Sequence, residues 1–169
     1  MKFTASLLAL LLFGPSALAD PITDRFGSGV LGMQWGSSLD LIVGVFPQGD
    51  HIYATSPGNR AYVVRDDQEF LGVARDGHNV VYWFDANDRL ESVTLSFPYE
   101  RKDELLGALI SLCGHAGWQA ISKRSRLTIW GDDDGTWLFL RTTFDTRNGI
   151  AWLQIKRTRS DRSDRRVWP

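Results

Sequence analysis

Two helical stripes set among short apolar β-type runs predict an α+β fold. The expected architecture is an antiparallel sheet of about six to seven strands, with a main helix at about 100–113 and a short N-terminal helix at about 38–46 packed on it. The run Val80-Val81-Tyr82-Trp83-Phe84, bounded by Asp76-Gly77 and Asp85-Ala86-Asn87-Asp88, has the length and composition of a strand. Leu105, Leu109, Leu112 and Cys113 recur at helical spacing. The connections between the strand-like runs are short and polar, which favours sequential antiparallel hairpins.

Residues 1–19 read as a cleaved export signal outside the fold. Lys2 supplies the charge, Ala5 to Phe13 an apolar core too short to cross a bilayer, and Ala17-Leu18-Ala19 the small-x-small cleavage site. The expected mature chain starts at Asp20, carries no lipidation cysteine at the cleavage site, and resides in the periplasm of a bacterium. No transmembrane segment is expected. Residues 20–32 carry no period and read as an extended lead-in.

Ser37 is then the expected N-cap of the short helix, with Asp40 three residues on and Leu39, Ile42, Val43 and Phe46 forming its stripe. Pro47 and Gly49 stop it. From about Asn59 the period becomes strand-like: Arg60–Arg65 and Glu69–Ala74 are short β runs, and Asn79–Phe84 follows. The last of these is apolar on both faces and is expected to be covered on each side. Val93, Leu95 and Phe97 alternate with Thr94 and Ser96, so that strand buries one face. Glu100, Asp103 and Glu104 suit the start of the main helix, and Gly114 its end. Strands at Arg124–Trp130, Thr136–Thr143 and Ile150–Lys156 complete a single domain over 20–156. Residues 157–169 read as a basic, disordered tail. No internal repeat at a fixed period is visible.

The expected mature chain holds 18 basic and 20 acidic residues. Residues 156–169 carry a net +4 and the body a net −6, so nothing globally basic points to nucleic acid. Cys113 is the only cysteine, which excludes an intrachain disulfide and places a lone thiol on the apolar helix face, where it is expected to be buried. His51, His78 and His115 lie far apart without close partner ligands, and no hydrolase, zinc or phosphate-loop motif is present. No catalytic residue, cofactor or metal is therefore assigned.

Three features remain as candidate binding surface. Asp132-Asp133-Asp134 before Gly135 is acidic but lacks calcium-loop spacing, and reads first as a turn. Tyr82, Trp83, Trp130, Trp137 and Trp152 fall on expected strands, either as core or as a platform for sugar rings or a partner's apolar anchors; Trp130 and Trp137 flank the acidic turn. The tail offers Arg162, Arg165 and Arg166 to anionic lipid or to an acidic protein surface.

Gly32-Met33 and Gly36-Ser37 leading into a short helix, followed by hairpin strands of the FDANDRL type, resemble small exported bacterial modules with helices on one face of an antiparallel sheet. The β-lactamase inhibitor protein and the SmpA/BamE-type outer-membrane assembly lipoproteins are such modules. The resemblance covers about residues 31–156 and carries no functional residue across. It implies work done by binding proteins through a sheet face or loops. The first expectation is thus a periplasmic, non-enzymatic protein-binding protein of inhibitor or immunity type. The alternatives are an envelope-maintenance factor touching glycan or lipid, and a small secreted hydrolase.

Overall fold

A computed structural model describes residues 20–53, 60–131, 135–143 and 149–158. The expected export signal of residues 1–19, the acidic run Asp132–Asp134 and the expected tail from residue 159, including Arg162, Arg165 and Arg166, lie outside the described residues.

The chain opens with α1 (Pro21–Phe26), β1 (Gly29–Val30), β2 (Met33–Gln34) and α2 (Leu39–Val45). The strands β3 (Asp50–Tyr53), β4 (Arg60–Arg65), β5 (Asn79–Phe84) and β6 (Leu90–Pro98) follow. A 3₁₀ turn at Tyr99–Arg101 leads into α3 (Lys102–Cys113). The chain then adds β7 (Trp118–Ile121), β8 (Ser125–Gly131), β9 (Thr136–Thr143) and β10 (Ile150–Arg157). β1 and β2 pair with each other; the other eight strands form one antiparallel sheet in the order β3-β4-β5-β6-β10-β9-β8-β7. The α+β class therefore holds, with a larger strand count than expected.

That order has an internal logic that no sequence period reveals. Each half is a helix followed by a four-stranded meander, α2 with β3–β6 and α3 with β7–β10. The fourth strands of the two halves, β6 and β10, pair at the centre, with Leu95 opposite Leu153 and Val93 opposite Ile155. Ile42 from α2 and Leu105 and Leu109 from α3 are buried in one core with Tyr62, Val80, Tyr82, Phe97, Leu138 and Leu153. Both helices thus cover the same face of the sheet. The second and third strands of the halves are joined by residues 66–78 in one case and 132–135 in the other. Such unequal loops hide the repeat from any fixed-period search.

Several local expectations need correction. Residues 20–32 are not simply extended: Asp20 caps α1 by accepting a hydrogen bond from Ile22 N at 2.9 Å, Pro21 opens it, and Ile22 and Phe26 are buried. Ser38, not Ser37, caps α2, its Oγ accepting from Leu41 N at 3.3 Å. Glu69–Ala74 is not a strand. Phe70 and Val73 exchange two 3.0 Å backbone bonds around Leu71 and Gly72, both at positive φ, so the segment is a tight turn. It sends Phe70 inward, where the ring stacks on Phe26 at 5.8 Å. The edge strands β3 and β7 were not anticipated. β5 is not covered on both faces: Val80, Tyr82 and Phe84 are buried, but Val81 and Trp83 are only half-buried.

Candidate functional site

Strand alternation sends one set of side chains into the core and the other to the face that carries no helix. The register makes that second set continuous. Val63, Val81, Thr94, Gln154, Phe139, Ile129 and Trp118 are successive cross-strand partners from β4 to β7. On one side of this row lie Trp83, Ser92, Lys156, Trp137 and Gly131; on the other lie Ser96, Trp152, Arg141, Leu127 and Ala120. Phe139, Trp152, Trp83, Leu127 and Ile129 are half-buried, and Trp118, Trp137 and Arg141 are exposed. Among the described residues nothing packs over this face as the helices pack over the other.

The part of the face contributed by β6, β10, β9, β8 and β7 forms an open trough of about 600 Å³. Trp152, Phe139 and Leu127 supply its apolar lining, and Thr94, Gln154, Ser122 and Ser125 its neutral polar groups. Arg141 is the one charged residue in that lining. Lys123 and Arg124 stand exposed in the turn between Ser122 and Ser125, and no Asp or Glu occurs anywhere in residues 105–131. The trough and its rim are therefore apolar and basic. Lys156, in the neighbouring row, is instead matched by Glu91 at 2.6 Å.

Two positioning contacts act on the aromatic residues. Trp83 Nε1 donates to Thr94 Oγ1 at 3.0 Å, which ties the indole to the floor of the face. Trp137 lies over Gly131, where the lack of a side chain leaves room for the ring. The residues singled out from sequence divide accordingly. Trp137 stands on the open face with Trp83 and Trp152. Trp130 and Tyr82 do not: both are buried on the helix side, and Trp130 Nε1 donates to Gly114 O at 3.0 Å. Trp130 thus leaves the candidate surface, because strand parity turns it away from Gly131 and Ile129. Trp118, Phe139, Leu127, Arg141 and Gln154 were not singled out. The alternation within 136–143 and 150–156 is the signal that could have found Phe139, Arg141 and Gln154; Trp118 and Leu127 lie outside those runs.

The remaining chemical groups do not converge. Among the described residues no group of three or more His, Cys, Asp or Glu is placed to hold a metal ion. His51 packs edge-on against Tyr62 at 5.0 Å, and His115 is exposed beyond α3. Cys113, expected inside the core, is half-buried, and burial pushes its thiol up to about 11. The trough lining contains no carboxylate, imidazole or thiol. Arg75 and Asp66 form an ion pair in the loop between β4 and β5, with Arg75 fully buried and also donating to His78 O. That pair anchors a loop on the core side of the sheet, away from the trough.

Compared with protein-family models, with curated proteins and with solved structures, the chain matches none. Among the described residues no helix is long and apolar enough to cross a membrane.

Proposed function

We propose that this chain is an exported, periplasmic, non-enzymatic binding protein of inhibitor or immunity type, and that it engages a protein partner through the open face of its sheet. One observation carries the reading: a continuous face, uncovered among the described residues, on which Trp83, Trp137, Trp152 and Phe139 remain accessible, with Trp83 tied to Thr94 and Trp137 seated over Gly131. Large aromatic side chains bury much area at low entropic cost and dominate protein–protein contacts. Export is supported by the leader-like pattern of residues 1–19.

A second reading is favoured by the trough itself. Trp152 and Phe139 beside Gln154, Arg141 and the Thr94 hydroxyl are a chemically reasonable bed for a sugar ring in an envelope glycan. Crosslinking the full chain in periplasmic extract, followed by mass spectrometry, separates the two. The expected result is one protein recovered in stoichiometric amount with the native chain and lost with Trp152→Asp or Trp137→Asp, both variants keeping the native circular dichroism. Recovery of glycan or lipid alone would favour the second reading. A protein partner retained by both variants would remove the open face from the proposal.

A further inference from the structure

The geometry points to β7 as an acceptor edge: a partner polypeptide adds an extended, acidic and apolar segment beside it as a further strand of the sheet. This inference rests on the open-face reading and specifies the partner's chemistry and its mode of attachment.

Among the described residues β7 is the last strand on its side of the sheet, and one row of its backbone groups has no strand to pair with there. Ser122 N donates to Ser125 O at 2.8 Å and Thr158 N to Gly135 O at 2.8 Å. Both bonds, carried through the registers of β10, β9 and β8, place residues 118, 120 and 122 inward, towards β8. Gly117 N, which also donates to Ile129 O, the partner of Trp118, lies before the strand. Antiparallel alternation then turns the N–H and C=O of Gln119 and Ile121 outward. Exposed edges are normally blunted by charge, proline, a bulge or a covering element. Among the described residues β7 has none of these over its own length: Trp118-Gln119-Ala120-Ile121 holds no charge and no proline, and its register with β8 is unbroken from Trp118 to Ile121, the one irregularity being Gly117 at its entry. The opposite edge, β3, begins with Asp50 and His51.

The same strand carries two exposed large apolar side chains. Trp118 is 53% and Ile121 67% exposed, while the edge continues directly into the trough through Ala120, Ile121 and Ser122. A strand laid along β7 would alternate its side chains between the trough side and the helix side. On the trough side it would meet Trp118, Leu127 and Arg141.

Charge selects the occupant. Lys123 and Arg124 flank the edge and Arg141 stands in the trough, with no carboxylate in residues 105–131 or in β9; Arg126, on the helix side, shares a cavity with Asp103. A second copy of this edge would bring the same cations and no counter-charge. A partner segment that alternates Asp or Glu with apolar residues satisfies the outward amides, the trough and the basic rim together.

The test is selection of a random dodecapeptide phage library on the full chain, with affinities of the synthetic peptides then measured at low and high salt. The expected consensus alternates acidic and apolar residues. Binding should slow amide exchange at Gln119 and Ile121 and weaken with salt. Gln119→Pro, which removes an outward amide of an edge strand, and Ile121→Glu, which adds a repelling charge at an exposed side chain, should each weaken binding by about tenfold or more. A basic or uncharged consensus, no enrichment, or unchanged affinity in both variants would overturn the proposal. If Trp152→Asp abolishes binding while both edge variants retain it, the open face stands and the edge does not. If only the edge variants lose binding, the edge stands and the open-face reading is the one that fails.

Discussion

Trp137 on β9 lies across Gly131 on β8, so closely that a Cβ at position 131 would fall 2.3 Å from Trp137 Cε3. No side chain fits there unless the indole moves. The glycine is therefore part of what presents an exposed Trp to the open face. Gly131→Ala is expected to displace the ring at a cost of about 1 kcal/mol, because a half-exposed side chain can swing aside. The checks are urea unfolding together with a shift in tryptophan emission that is absent when the substitution is made in a Trp137→Phe background.

Trp130 and Trp118 are close in sequence but separate cleanly in energetic role. Trp130 is buried, with its indole nitrogen bonded to Gly114 O, the carbonyl just past the end of α3. Trp130→Ala should cost about 3–5 kcal/mol through the cavity and the orphaned carbonyl. Trp118→Ala, on the bare edge, should change stability by no more than about 0.5 kcal/mol. Chemical denaturation of the two variants gives the comparison, and similar losses would contradict the assigned burial.

The Arg75–Asp66 pair predicts an asymmetry between its partners. Arg75 is fully buried, whereas Asp66 retains some contact with solvent. Asp66→Ala strands a guanidinium in the core and should destabilise by about 3–5 kcal/mol. Arg75→Met leaves a carboxylate that can turn to water, and should cost less. Near the pair, Tyr82 has its hydroxyl buried without a hydrogen-bond partner among the described residues, and burial, then Asp66, push its ionisation upward. Tyr82→Phe should accordingly be neutral or slightly stabilising by thermal unfolding, since it removes a buried hydroxyl with no bond to lose.

Cys113 gives a pH dependence with a definite sign. Its thiol rises from 9.0 to about 11, first through burial and then through the nearby Asp20. The folded state holds this proton more tightly than the unfolded chain does. The stabilisation is therefore complete below pH 9 and is lost as pH rises through about 11. Stability of the native chain minus that of Cys113→Ala should fall across this interval. Iodoacetamide should alkylate Cys113 in the folded chain slowly at pH 9 and faster only as the pH approaches 11, whereas the unfolded chain should react readily near pH 9.

The legible parts of the fold were those where period and burial coincide. The stripe Leu105, Leu109, Leu112 gave α3, and the alternations in 90–98, 136–143 and 150–157 gave three of the four central strands within a residue or two. Asp20-Pro21 was missed because a cap followed by an N1 proline also reads as a turn. β7 was missed because Trp118-Gln119-Ala120-Ile121 is short and lies between Gly117 and Ser122, with no clear alternation. Parity decided the site. Trp130 and Trp137 look equivalent on either side of a turn, yet their places in the β8–β9 register put one in the core and the other on the open face. Nothing in the local pattern states which parity faces the helices; that follows only once α2 and α3 are seen to share a face.

That shared face makes the central seam the point at which the two halves depend on each other. Leu95 and Leu153 face one another there, fully buried, under both helices. Truncating either should cost about 2–5 kcal/mol. Because the side chains are in contact range on adjacent strands, the double variant should depart from the sum of the singles by at least about 0.5 kcal/mol. One core runs through both halves, so Leu153→Ala should lower the stability reported by β4 and β5 amides as much as that of β9. Hydrogen exchange would show this as a common shift. A β4–β5 meander that kept its protection while β9 lost it would mean that the halves are independent units joined only by strand pairing.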